Sequence, residues 1–184
     1  MTNGFKQSKT LQDIFVGIAI SLALTLTVQQ VFHRPSEPIV IERQVIVKVP
    51  VYLSVQDKKQ IKCLADNAYF EAGNQTTRGK IAVTNVVMNR TSDDSFPSTP
   101  CGVVKQKKQG RCQFSWVCEK KKVVDVDVYT ESKRVAEQVY IQNIGDVTAG
   151  ATFYHANWMK TYPFWSKVFK QTVKIEDHIF YSES

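Results

Sequence analysis

Residues 63–90 read CLADNAYFEAGNQTTRGKIAVTNVVMNR, two runs of apolar residues split by a short polar break. In the first run Ile61, Leu64, Ala65, Ala68 and Ala72 recur at helical spacing, with Tyr69 beside the stripe, Asp57 as a candidate N-cap and Gly73 as a C′ stop. In the second, Thr76 or Thr77 caps a helix whose buried face is Ile81, Ala82, Val83, Val86 and Val87, ending near Asn89 and Arg90. Gly79 at its start marks a close approach by another element. Glu71 stands in the last turn of the first helix, where the macrodipole is already negative. That position, and burial against Tyr69 and Phe70, would both raise its pKa, as a general acid requires. A solvated surface carboxylate is the plainer alternative.

Farther along, a third helix is expected over Thr130 to Gln142, with Val135, Ala136, Val139 and Tyr140 facing inward. GDVTAG, Gly145 to Gly150, is turn chemistry, and ATFYH, VFKQTVKI and HIFY read as short strands. The pattern gives an α+β domain, helices first and a small antiparallel sheet late, over residues 57–184.

Upstream the character changes twice. Residues 14–32 open with IFVGIAISLALTLTV, an uncharged run apolar all round, and no A-x-A cleavage site follows it. It is expected to be an N-terminal transmembrane helix acting as an uncleaved signal-anchor, with residues 1–13, including Lys6 and Lys9, in the cytoplasm. Residues 33–56 carry Pro35, Pro38 and Pro50 and form an extended stalk. The expected location is the inner membrane, single-pass, with the catalytic domain on the periplasmic side.

The chain has 184 residues, four cysteines and a formal net charge of +7, which favours anionic partners without choosing among them. No RNP-like or zinc-finger pattern supports nucleic acid as the partner. Cys63, Cys101, Cys112 and Cys118 form no CxxC pair, so disulfides are expected rather than zinc. Of three possible connectivities, the preferred one joins Cys112 to Cys118 as a local staple and Cys63 to Cys101 at long range. Glu71, His155 and His178 lack HExxH spacing, so neither a metal nor a cofactor is expected.

The ordered blocks resemble the SleB/CwlJ-type cell-wall hydrolase family, which includes spore-cortex lytic enzymes. The resemblance rests on Tyr69, Glu71, Ala72, Gly79, Ala82, Val83, Val86, Asn89 and Arg90, then on FPSTPCGVVKQ, CQFSWVC, GATFYHANWMKTYPFW and IEDHIFY. It spans Ile61 to Tyr181 and implies a small lysozyme-like domain that cleaves the glycan strand of peptidoglycan, with Glu71 as the catalytic acid. Two positions depart from the family pattern: Gln75 where a second glutamate is common, and Glu176 where a glycine is common.

Glycoside hydrolysis ordinarily uses two carboxylates. Asp66 lies five residues before Glu71, about 500° around the helix axis, and points elsewhere. Asp93 and Asp94 belong to a turn. A one-acid mechanism therefore suits the chain: lytic transglycosylation with Glu71 as acid and then base, leaving 1,6-anhydro-muramic acid ends. Tyr69, Gln113, Phe114, Ser115, Trp116, Tyr154 and His155 are the candidate substrate-binding residues. Gln113 and Ser115 would hydrogen-bond sugar groups, and Phe114 and Trp116 would offer flat faces to a pyranose, although Phe114 alone reads better as buried. The alternatives are a muramidase, an amidase, or a module that binds peptidoglycan without cutting it.

Overall fold

A computed structural model of the chain describes residues 52–183 and four helical positions near the N-terminus: Phe15, Val16, Ile18 and Ala19. The expected membrane segment and most of the stalk lie outside the described residues. Among the described residues no helix is long and apolar enough to cross a membrane.

Helix α1, Val55–Ala72, begins three residues earlier than expected, because its N-cap is Ser54 rather than Asp57. Asp57 instead closes a capping box: its N–H donates to the Ser54 hydroxyl at 3.0 Å, and the Ser54 N–H donates to Asp57 Oδ2 at 3.1 Å. The expected stripe Ile61, Leu64, Ala65, Ala68 and Ala72 is buried throughout. Gly73 ends the helix in the right-handed region, so it is not the left-handed stop expected of it. Its value is space, because a Cβ there would meet the Tyr69 carbonyl oxygen at 2.5 Å.

Helix α2, Thr77–Thr91, buries Ala82, Val83, Val86 and Val87, while Ile81 is only half-buried. Thr76 is its N-cap, but its side chain does not cap; Glu176 takes that task from a distant turn. The Thr76 N–H donates to Glu176 Oε2 at 3.1 Å, and the Thr76 hydroxyl donates to Oε1. Sequence periodicity did not reveal helix α3, Pro100–Lys105, or the two-residue strands β1, Lys107–Lys108, and β2, Arg111–Cys112. A single helical turn, α4, follows at Ser115–Cys118. Helix α5, Val126–Gln142, starts four residues before the expected Thr130, because Asp125 accepts from the Val128 N–H at 3.0 Å.

The late sheet has β3, Phe153–Ala156, β4, Lys170–Ile175, and β5, His178–Ser182, all antiparallel in the order β3-β5-β4. Two cores result. One joins α1, α3, α4 and α5 through residues such as Leu64, Val103, Trp116 and Ala136. The other joins α2 to the sheet through Val83, Val86, Ile175 and Phe180. Tyr154 packs against both, so β3 brings a polar side chain to their junction.

Both preferred disulfides are present. Cys63–Cys101 ties α1 to α3, and Cys112–Cys118 closes the loop that carries Gln113 to Trp116.

Candidate active site

Glu71 ends α1 at this junction, half-buried beside a cleft of about 250 Å³. The cleft is lined by Glu71, Arg90, Gln113, Phe114, Ser115 and Tyr154. The Tyr154 hydroxyl donates to Glu71 Oε2 at 3.0 Å. Burial raises the Glu71 pKa above its ordinary value. The Tyr154 hydrogen bond, the nearby Trp116 indole and the charges of Arg90 and Lys121 offset part of that rise. Trp116 Nε1 is buried and meets no partner in hydrogen-bond geometry, so it counts as a donor near the carboxyl rather than a bond to it. Burial and the Glu71 charge push the Tyr154 phenol well above its usual value, which keeps it a donor.

The expected binding residues divide. Gln113 and Ser115 are exposed on the cleft wall, available to a ligand. Phe114 and Trp116 are 4% and 8% exposed, and Trp116 stacks on Phe70 with ring centroids 4.7 Å apart. Phe114 is buried, as its own reading had it, while Trp116 packs into the first core instead of offering the flat face expected of it, because the Cys112–Cys118 loop folds both rings inward. Tyr69 lies outside the cleft lining, and its hydroxyl accepts from the Val124 and Asp125 N–H groups, each at 3.1 Å. It fastens the start of α5 to α1.

Tyr154 and His155 are separated by the two-residue alternation of a strand. Tyr154 faces the helices and Glu71. His155 faces the opposite side, buried, with Nε2 3.1 Å from the Tyr181 hydroxyl and its ring 4.2 Å from that of Tyr162. His178 is held within the fold: burial lowers its pKa, and Gln75 Nε2 donates to its Nδ1 at 3.0 Å. Asp66 points away from the cleft, accepting from Lys62 at 2.7 Å and from the Tyr129 hydroxyl at 2.9 Å.

Arg90 was not among the expected site residues, yet it lines the cleft and is 6% exposed. Its Nε donates to the Thr152 carbonyl at 2.7 Å. Its guanidinium lies 5.0 Å from the Phe96 ring centroid, 5.6 Å from Phe114 and 5.5 Å from Phe153. Such contacts contribute about 0.5–2 kcal/mol each. Burial lowers the Arg90 pKa, and Tyr154 and Glu71 oppose that effect. An arginine at a helix C-terminus reads in sequence as a complement to the dipole, so the available signal was only its place at the end of an apolar helix.

The two departures from the family pattern meet in space. A Cβ on Gly79 would stand 2.5 Å from Gln75 Oε1 and 3.2 Å from Glu176 Oε2. Glu176 holds φ at +49°, in the left-handed region that favours the glycine common there. Its hydrogen bonds to Thr76 hold its pKa below the usual carboxylate value.

Comparison with solved structures finds the catalytic domain of the Bacillus cereus SleB protein, 25% identical, with a TM-score of 0.53 over 73% of this chain and 95% of that one. The catalytic domain of the germination-specific lytic transglycosylase SleB from Bacillus anthracis is 24% identical and shares the fold, with a TM-score of 0.55 over 73% of this chain and 100% of that one. No curated protein matches the chain. The cell wall hydrolase family model matches residues 74–181, beginning just past Glu71. With more than half of its length matched and the same mixed helix-and-sheet domain, the chain belongs to the cell wall hydrolase family.

Proposed function

We propose that the chain is a lytic transglycosylase that cleaves the glycan strand of peptidoglycan, with Glu71 as its single general acid and base. The observation that carries this reading is the environment of Glu71: a carboxyl with a raised pKa, held by Tyr154, in a cleft whose described lining contains no second carboxylate. The protonated carboxyl gives its proton to the glycosidic oxygen as the C1–O4 bond breaks. The resulting carboxylate accepts the proton of the C6 hydroxyl, whose oxygen bonds to C1. The products are a free 4-hydroxyl and a 1,6-anhydro-muramic acid end, and no water is consumed. Glu71 ends the cycle protonated. The Tyr154 hydrogen bond stabilises its carboxylate between the two transfers. Gln113 and Ser115 contact the sugar, and the lysozyme-like placement of one acid at a helix end belongs to the same proposal.

The two disulfides support export to an oxidising compartment. In this proposal residues 14–32 anchor the domain in the inner membrane and the stalk, which stops at residue 53 because Ser54 caps α1, holds it toward the wall.

Digestion of purified peptidoglycan, followed by mass spectrometry beside a Glu71→Gln variant, tests the chemistry. Products one water lighter than hydrolysis products, absent with the variant, are expected. Reducing ends would mean a muramidase instead, and intact glycan would leave a binding module or an amidase.

A further inference from the structure

Arg90 is a buried cation without an acid to answer it. Among the described residues its hydrogen bonding is the single Nε donation to Thr152, and it forms no salt bridge. Among the described residues its Nη groups have no hydrogen-bond partner, and they are not sealed in the interior, so they open to the cleft that Arg90 lines. Aromatic rings of Phe96, Phe114 and Phe153 surround the guanidinium and exclude water from its sides. Glu71 shares the cleft but does not bond to Arg90; the hydrogen bond it accepts comes from Tyr154. A guanidinium prepared in this way, with its two Nη groups free, offers their shared edge to a carboxylate in fork geometry.

We infer that Arg90 is a receptor for a substrate carboxylate, and that this carboxylate is the lactyl group of a muramic acid residue whose stem peptide has been removed. The inference rests on the proposed glycan-cleaving function. The lactyl group is carried on C3 of the ring whose C1 is cut, so a short tether places it near the acid that serves C1. Carboxylates of a stem peptide lie farther along a flexible chain. In peptide-bearing strands the lactyl group is an amide and offers no charge. The preferred substrate is therefore glycan from which an amide-hydrolysing reaction has already released the peptide.

The arrangement also suits Glu71. The groups facing it are Tyr154 from β3, Trp116 from α4, Arg90 from α2 and Lys121 from the loop after α4. A bound carboxylate would neutralise Arg90 and favour the protonated acid.

The test is calorimetric titration of the full-length chain with N-acetylmuramic acid, its methyl ester and N-acetylglucosamine. The acid should bind roughly tenfold or more tightly than either neutral sugar, the scale of a charge-assisted hydrogen-bonded pair. Arg90→Gln should erase the preference, and Arg90→Lys should retain part of it. Equal binding of acid and ester by the unaltered chain overturns the inference, as does failure to bind either, or a preference that survives in Arg90→Gln. The unaltered chain alone decides the first two outcomes, whether or not a variant folds. A preference for the acid without glycan cleavage would sink the proposed reaction and leave the receptor standing. Cleavage without the preference would sink the receptor alone.

Discussion

Helix α2 buries two cations, and they serve different ends. Lys80, in the first turn, is 2% exposed; Arg90, in the last, is 6% exposed. Lys80 Nζ donates to the Gln75 carbonyl at 2.8 Å and to Glu131 Oε2 at 3.0 Å. Its charge is matched within the fold and pins α2 to α5. Arg90 has one carbonyl and a ring cage, with no carboxylate bonded to it. Burial alone therefore does not separate frame from site. The presence or absence of an internal counter-ion does.

The comparison fails first if the Arg90 end of the helix is not the reacting end. Glu71→Gln should lower glycan cleavage roughly 100- to 10,000-fold, the usual contribution of a general acid, as measured by release of soluble muropeptides. Unaltered turnover would make both cations structural.

The disulfides sharpen the same division. The Cys63–Cys101 bridge spans 38 residues and Cys112–Cys118 spans 6. Loop length gives about 4 kcal/mol for the first and about 2 kcal/mol for the second. Replacing Cys63 and Cys101 by alanine should therefore cost more in denaturant unfolding. Replacing Cys112 and Cys118 should cost less stability but more turnover, because that loop carries Gln113 and Ser115. The reverse ranking would mean that the loop belongs to the frame.

Lys80→Met leaves Glu131 without its cation and should destabilise the fold by about 2–3 kcal/mol, less than a fully buried pair because Glu131 is partly solvated. Cleavage per folded molecule should stay unchanged.

The smallest effect is a shift along the pH axis. Burial favours protonated Glu71 in the fold, so its stabilising contribution is complete below the ordinary carboxylate range and is lost as pH rises through the folded pKa. Activity that needs the protonated acid falls over the same rise. Arg90 and Tyr154 both lower that pKa, so Arg90→Gln and Tyr154→Phe should each move the alkaline limb to higher pH, read from pH profiles of kcat/KM. Glu71→Gln should gain stability over the parent at neutral pH relative to acid. Lys80→Met should leave the limb in place.

Much of the frame was legible because long helices announce themselves by period. Ile61, Leu64, Ala65, Ala68 and Ala72 lie on one side of α1 wherever its caps fall. The three strands of the late sheet and both cysteine pairs were legible too. Helix α3 and strands β1 and β2 were not, since six- and two-residue elements are too short to show a period. Within the site, its place in the helix made Glu71 a candidate, and the resemblance to the cell-wall hydrolases made it the leading one. Strand alternation could have separated Tyr154 from His155, but both carry plausible chemistry, and sequence does not say which face meets the helices. The inward rings of Phe114 and Trp116 depend on a loop closed by a disulfide, which local pattern does not describe. Arg90 was hidden because its significance lies in a missing partner, and only three dimensions show what a side chain lacks.

The pairing of Gln75 with Glu176 over Gly79 bears on how this chain could have diverged. Relative to the family pattern, an acid is missing at one position and an extra acid has arrived at another, and the two side chains press on the same glycine. The local negative charge has changed address while the start of α2 keeps an anion beside it. Either change alone passes through a poorer intermediate. A glutamate at both positions would crowd like charges at one point, and a neutral pair would leave the Thr76 N–H and hydroxyl without their acceptor. Coupling between the two positions is the expected outcome, checked by comparing the unfolding free energies of Gln75→Glu, Glu176→Gly and the double variant.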